Sequence, residues 1–186
     1  MLVAGPADRG EGSLGSVVLG LCERLGATAC ECRPDRRALS ADDERGVAEV
    51  AAAALACAGG APDTLVVDGA ALFDAPGAAR DALASCTQGT WALVRALAAE
   101  AMLTEGGRVV LLAPAPGAGE HAGAARAALE NLARTLSVEW ARHAVTAVCI
   151  APAAATSAQD TATLVAFLAS RAGAYFSGCM LAMTES

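Results

Sequence analysis

Gly10, Gly12 and Gly15 spell G-x-G-x-x-G, the spacing that brings bare backbone and a helix N-terminus against a dinucleotide pyrophosphate. That use needs the first glycine at a strand end, yet the apolar run Met1 to Ala4 already stops at Gly5. The loop between is several residues too long and carries Asp8 and Glu11, whose charge opposes a phosphate. The three glycines are therefore weak candidates, and no cofactor is expected on this chain. Glu120 and His121 adjoin and could do acid–base work, although a solvated loop pair is the simpler reading. Asp42, Asp43 and Glu44 could hold a metal, but Ser40-Ala-Asp-Asp43 before an alanine-rich run has the pattern of a helix cap, where acids complement the dipole.

The 7 cysteines (Cys22, Cys30, Cys32, Cys57, Cys86, Cys149 and Cys179) form no C-x-x-C pair, and the 2 histidines lie far from any of their clusters, so no metal centre is expected. Cys30 and Cys32 fall on one face of a strand and read as buried free thiols in a reducing cytosol. A net charge of -7 argues against a nucleic-acid or anionic-membrane surface. All 13 basic residues are arginine, and Tyr175 is the sole tyrosine. The apolar stretches are too short and interrupted to span a bilayer, and the start lacks a basic segment followed by an apolar one, so a cytoplasmic protein is expected.

The elements that must position these residues alternate. Strands are expected at Met1 to Ala4, Ala27 to Cys32, Thr64 to Val67, Arg108 to Ala113, Val145 to Ala151 and Gly178 to Met183. Helices are expected at Gly15 to Leu25, from Ser40 to Cys57, at Ala78 to Leu103, at Ala122 to Arg142 and from a cap at Ser157 to Ser170. Gly89 weakens the middle of the Ala78 helix by about 1 kcal/mol relative to alanine. The alternation predicts an α/β fold with a doubly wound parallel sheet, and the 186 residues suit one Rossmann-like domain over 1–186. With 55% hydrophobic but 3% aromatic residues, its core must be alanine, leucine and valine in close backbone contact.

The segments GGRVVLLAP from Gly106, AGAARAALENLARTLSVEWARHAVTAVCIAPA, LVAFLASRAGAYFSGCMLAM and LCERLGA together resemble the short-chain dehydrogenase/reductase family over nearly the whole chain. Two regions are short by that comparison. One lies before Ser40, where the family has a helix and a strand; the other follows Pro152, where it has a substrate lid. The family's chemistry uses a tyrosine as proton donor or acceptor and a lysine four residues on. The resemblance sets Ala122 and Arg126 at those positions, Ala113 or Pro114 at the carbonyl-binding serine, and Cys86 at the asparagine of the preceding helix. Alanine has no transferable proton, and arginine is a planar fork rather than a compact ammonium. The loop that reads NNAG in the family is Val67-Asp-Gly-Ala70 here. The resemblance thus implies a degenerate member without the Ser-Tyr-Lys residues, inactive by itself. Arg126 reads as an exposed helix arginine, with phosphate or carboxylate binding as the sharper alternative.

Members of the family pair their two long helices with the same helices of a second subunit. The resemblance therefore implies an interface carrying Trp91, Leu97, Ala125, Leu129, Leu132, Leu136 and Trp140, with small alanines permitting close approach and the tryptophans as anchors. The expected role is a non-catalytic subunit assembled with an intact relative. That relative carries NAD(P) and acts on a hydroxyacyl or ketoacyl thioester. The alternatives are a stand-alone ligand-binding protein or enzyme with a repurposed pocket, and a self-associating remnant.

Overall fold

The structure is a computed structural model and describes residues 1–8, 12–39, 43–98 and 102–184. Strands β1 (Leu2–Ala4), β2 (Cys30–Cys32), β3 (Thr64–Val67), β4 (Gly107–Leu112), β5 (Val145–Ala151) and β6 (Cys179–Ala182) form one sheet in the order β2-β1-β3-β4-β5-β6. Each pairing is parallel. The α/β, doubly wound, Rossmann-like architecture is the expected one, and it is short: between β2 and β3 the chain has a 3-10 turn at Arg36–Leu39 and one helix. The connection after β5 is equally brief. Ala153 N–H donates to Thr156 Oγ1 at 2.9 Å, and the next helix follows at once.

The central strands β1, β3, β4 and β5 are buried on both faces because their side chains alternate between two layers of helix. Leu2, Leu65, Val67, Val109, Leu111, Val145, Ala147 and Cys149 point to one side. Against them pack α2 (Glu44–Ala58), α3 (Gly69–Phe73), α4 (Ala79–Leu97) and α6 (Ala122–Glu139). Val3, Val66, Val110, Leu112, Val148 and Ile150 point to the other, where α1 (Leu14–Arg24) and α7 (Ala158–Ala169) lie side by side. From β4, Arg108 reaches the end of α7 and donates to the carbonyls of Leu168, Ala169 and Ser170, satisfying acceptors that a helix C-terminus leaves open.

Local chemistry sets the helix ends. Ser13 and Ser157 cap α1 and α7 through their hydroxyls. Asp43, rather than Ser40, caps α2 by accepting from Gly46 N–H at 2.8 Å; Ser40, Ala41 and Asp42 lie outside the described residues. The acids at the start of α2 thus serve a helix end. The helix expected over Ala78 to Leu103 runs as α4 to Leu97, with a short α5 at Leu103–Glu105 and residues 99–101 outside the description. That expected to reach Arg142 stops at Glu139. A 3-10 turn at Ala141–His143 follows and ends at Ala144, whose φ of 55° cannot continue a right-handed helix. Gly89 has a packing reason: a β-carbon there would stand 3.3 Å from Leu72 Cδ2, so its absence lets α4 lie close upon α3.

The interface expectation needs correction. Leu97, Ala125, Leu129 and Leu136 have at most 2% of their surface exposed and belong to the chain's own core. A stripe repeating at i, i+3 and i+4 is the face a helix turns to its sheet. Leu132 and Trp140 are partly buried against the same core, whereas Trp91 is 40% exposed. The outer face of α6 carries the exposed Ala124, Ala127, Asn131, Thr135 and Val138, of which Val138 is 75% exposed.

Candidate functional site

In an open parallel sheet the ligand crevice lies beyond the carboxyl ends of the strands, where the strand order switches. Here the switch falls between β1 and β3. The crevice is bounded by the loop leaving β1, the start of α1, the segment after β3 and the loops leaving β4 and β5. Three charged side chains lie on or beside the segments at that end of the sheet.

The first is Asp68, which follows β3 directly. It is fully buried, and its Oδ2 accepts from Gly15 N–H in the first turn of α1 at 2.7 Å. Its Oδ1 caps α3 by accepting from Ala71 N–H at 3.0 Å. The helix N-terminus that would face a pyrophosphate is therefore met by a carboxylate of the chain itself, a negative group at the positive end of the dipole. Gly69 lets the start of α3 lie against the end of β4 and against α6: a β-carbon there would meet Leu112 O at 2.8 Å and Leu129 Cδ1 at 2.9 Å.

The second is Arg36, in the short connection after β2. Its Nη1 donates to Leu72 O at 2.8 Å, its Nη2 to Ala71 O at 2.7 Å and to Asp74 O at 3.3 Å, so the fork closes the C-terminus of α3. Its Nε donates to both oxygens of Asp8 at 3.0 and 2.8 Å, tying down the loop after β1. Asp8, read as opposing a phosphate, is thus half of an ion pair. Gly12 lies in that loop in the left-handed region at φ 85°, and Gly10 lies outside the described residues.

The third is Arg126. It is half-buried rather than exposed, and its Nη1 donates to Pro114 O at 2.7 Å and Pro152 O at 2.9 Å. A helix arginine thereby clamps the two loops that leave β4 and β5. Ala113 and Ala122 are fully buried, and Phe73 lies beside Gly119 in the β4–α6 loop. Glu120 is exposed, and His121 takes the cap position of α6 without a capping side-chain bond.

Cys86 and Cys149 are buried on the sheet face below α4 and α6. Burial pushes both thiols up to about 12; the neighbouring Cys149 and Asp68 add to this for Cys86, while Arg126 opposes it for Cys149. Both stay protonated at neutral pH and are inert as nucleophiles. Folded values above the ordinary 9.0 mean that the native state holds more protons than the unfolded chain between these limits. Stability is complete below pH 9 and falls as the pH rises through the folded values. Each thiol contributes at most about 1.4 kcal/mol per pH unit above the onset, and the raised thiols of Cys22, Cys30 and Cys179 add to the same slope. Urea titrations at stepped alkaline pH, repeated on Cys86→Ala, should show a shallower loss in the variant.

The chain superposes on solved structures over nearly its whole length. The chain matches a hydroxysteroid dehydrogenase from Escherichia coli at a TM-score of 0.74 and 17% identity, covering 97% of this chain and 94% of that one. It matches a 3-alpha-hydroxysteroid dehydrogenase from Pseudomonas sp. B-0831, solved with NADH, at 0.72 and 21%, covering 98% and 94%. A Serratia marcescens short-chain dehydrogenase/reductase matches at 0.70 and 18%, covering 98% and 94%. The fold is that of the short-chain dehydrogenases. No protein-family model matches the sequence, and no curated protein matches it significantly.

Within the short-chain dehydrogenase fold, the positions the resemblance assigned to tyrosine and serine are filled by buried alanine and proline, and the lysine position by the Arg126 clamp. Arg36 and Asp68 were not foreseen as site residues. Asp68-Gly-Ala-Ala does carry a helix-cap signal, but nothing in the sequence places that carboxylate 53 residues away on Gly15. Among the described residues no group of His, Cys, Asp or Glu has metal-site geometry, and no described helix is long and apolar enough to cross a membrane.

Proposed function

We propose that the chain is a non-catalytic subunit of short-chain dehydrogenase fold, which holds no nicotinamide cofactor and assembles with an intact oxidoreductase of the same fold. The observation that carries this reading is the self-satisfied crevice. Asp68, Arg36 and Arg126, the charged groups best placed to meet a phosphate or a ribose, bond instead to Gly15 N–H, to the end of α3 and to two proline carbonyls. A ligand entering there must first break bonds that hold the fold together. The partner supplies NAD(P) and the tyrosine–lysine pair, and its substrate class is a hydroxyacyl or ketoacyl thioester.

The docking surface of this reading is the outward side of α4 and α6. Trp91 and Val138 are exposed there, and the outer positions of α6 at Ala124, Ala127, Asn131, Thr135 and Val138 are uncharged. Arg134 pairs with Glu130 and Arg126 turns inward, while the exposed Arg134 and Glu139 on α6 and Arg95 on α4 stand around these positions. Small and uncharged positions on α6 and an exposed tryptophan on α4, rimmed by charge, suit a subunit contact.

The test is expression alone and together with an intact dehydrogenase of this fold from the same genome. We expect a co-purifying complex of defined mass by sedimentation, weakened by at least about tenfold in Val138→Glu and Trp91→Ala, which sit outside the core. A monodisperse chain that ignores the candidate partner overturns the heteromer, and a homodimer indifferent to it supports the self-associating remnant. Saturable binding of NADH or an acyl-CoA by the isolated chain in calorimetry favours the repurposed-pocket reading.

A further inference from the structure

We propose that Cys30 and Cys57 form a reversible disulfide that staples the edge strand β2 to the covering helix α2, and that this pair reacts with small-molecule disulfides of the glutathione class. Shortening of the chain between β2 and β3 leaves β2 as the edge of the sheet, a strand of three residues paired on one side with β1. What holds it otherwise is α2, whose Ala51 and Ala54 share a core with Cys30 and Cys32. The last turn of α2 brings Cys57 to this edge: its Sγ donates at 3.9 Å to the carbonyl of Glu31, the residue next to Cys30 on β2, and Cys30 packs against the same helix–strand core.

The two thiols differ in the way a reactive pair requires. Cys57 is exposed, Cys30 is half-buried, and Cys32 beside them is buried. A surface hollow of about 200 Å³ lined by Glu31, Arg33, Pro34, Val50 and Cys57 gives a small disulfide access to Cys57. Burial, followed by the neighbouring Cys57, pushes the Cys30 thiol up to about 11, so it keeps its proton until Cys57 has reacted. The Cys57 thiolate attacks one sulfur of the small disulfide, and one small thiol departs with the electron pair. Cys30 then gives up its proton and attacks Cys57 Sγ, releasing the second small thiol. Two protein thiols lose two hydrogens, and the small disulfide becomes two thiols. Cys30 and Cys32, read from sequence as buried free thiols, thus stand beside the accessible Cys57, and Cys30 is its resolving partner across the helix–strand contact.

The experiment treats the folded full-length chain with oxidised glutathione, then blocks, digests and maps it. Because trypsin spares Arg33-Pro34, Cys30 and Cys32 share the peptide Leu25–Arg36, while Cys57 lies in Gly46–Arg80. We expect these two peptides linked, a thiol count falling by two from 7, persistence of the link in Cys32→Ser, and reversal by a reducing thiol. Cys30→Ser should stop at a glutathione adduct on Cys57, and Cys57→Ser should not react. The oxidised wild type should melt higher, on the order of 5 °C, because the closed loop constrains the unfolded chain. A Cys32–Cys57 link, a disulfide between two chains, or a stable adduct on Cys57 in the wild type overturns the proposal. None of these outcomes depends on whether the chain has a partner subunit.

Discussion

Asp68→Ala lowers the free energy of unfolding by about 3 kcal/mol, the sum of one lost helix cap and one lost charge-assisted hydrogen bond in a buried setting. The carboxylate has no exposed surface and bonds Gly15 N–H at 2.7 Å and Ala71 N–H at 3.0 Å, so its removal orphans donors at the starts of two helices at once. In urea the midpoint should fall while the slope holds, and the melting temperature should drop by about 6–12 °C for a chain of this size. Asp68→Asn keeps one acceptor oxygen and should lose about half as much. A change within about 0.5 kcal/mol, the range of an ordinary surface substitution, would show that the carboxylate does not bind α1 to the sheet.

Arg126→Ala costs about 2 kcal/mol, because two carbonyl acceptors at 2.7 and 2.9 Å lose a charged donor and the β4 and β5 loops lose their tie. The effect should persist at high salt, since the partners are neutral carbonyls rather than a carboxylate. Arg126→Lys should recover only part of it: the ammonium is shorter and lacks the guanidinium fork. Differential scanning calorimetry of the three proteins, with and without added salt, reads both points. If the lysine variant is fully stable, the position tolerates an ammonium, and the arginine clamp ceases to explain the residue. The costs of the two substitutions should add, because Asp68 and Arg126 bond to different segments.

These outcomes bear on the reading of the crevice as filled. Residues that hold the fold and residues that hold a ligand leave different marks: the former lower stability in the absence of any ligand. On the proposed reading, a crevice built from stabilising contacts leaves fewer free polar groups for a cofactor. The sequence pointed toward this through what is missing, namely any lysine in the chain and any tyrosine but Tyr175. It did not reveal what had taken the vacant places.

The α/β alternation, the parallel sheet and most strand positions were legible because buried parallel strands such as Thr64–Val67 and Val145–Ala151 are dense apolar runs between turn residues. The helix cap at Ser157 was legible because capping is chemistry within three or four residues. The apolar stripe on α6 was legible as a stripe, but not its destination. Leu129 and Leu136 would look the same facing a partner or their own sheet, and only the packing of α6 on β5 puts them inside. The partners of Asp68, Arg36 and Arg126 lay beyond the sequence for a related reason. A charged side chain carries its donors and acceptors wherever it stands, and the groups 53, 36 and 26 residues away that meet them are chosen by strand order and loop length. The residues alone therefore determined the fold class; the tertiary structure decided which backbone groups Asp68, Arg36 and Arg126 meet, because strand order and loop length choose partners that are distant in sequence.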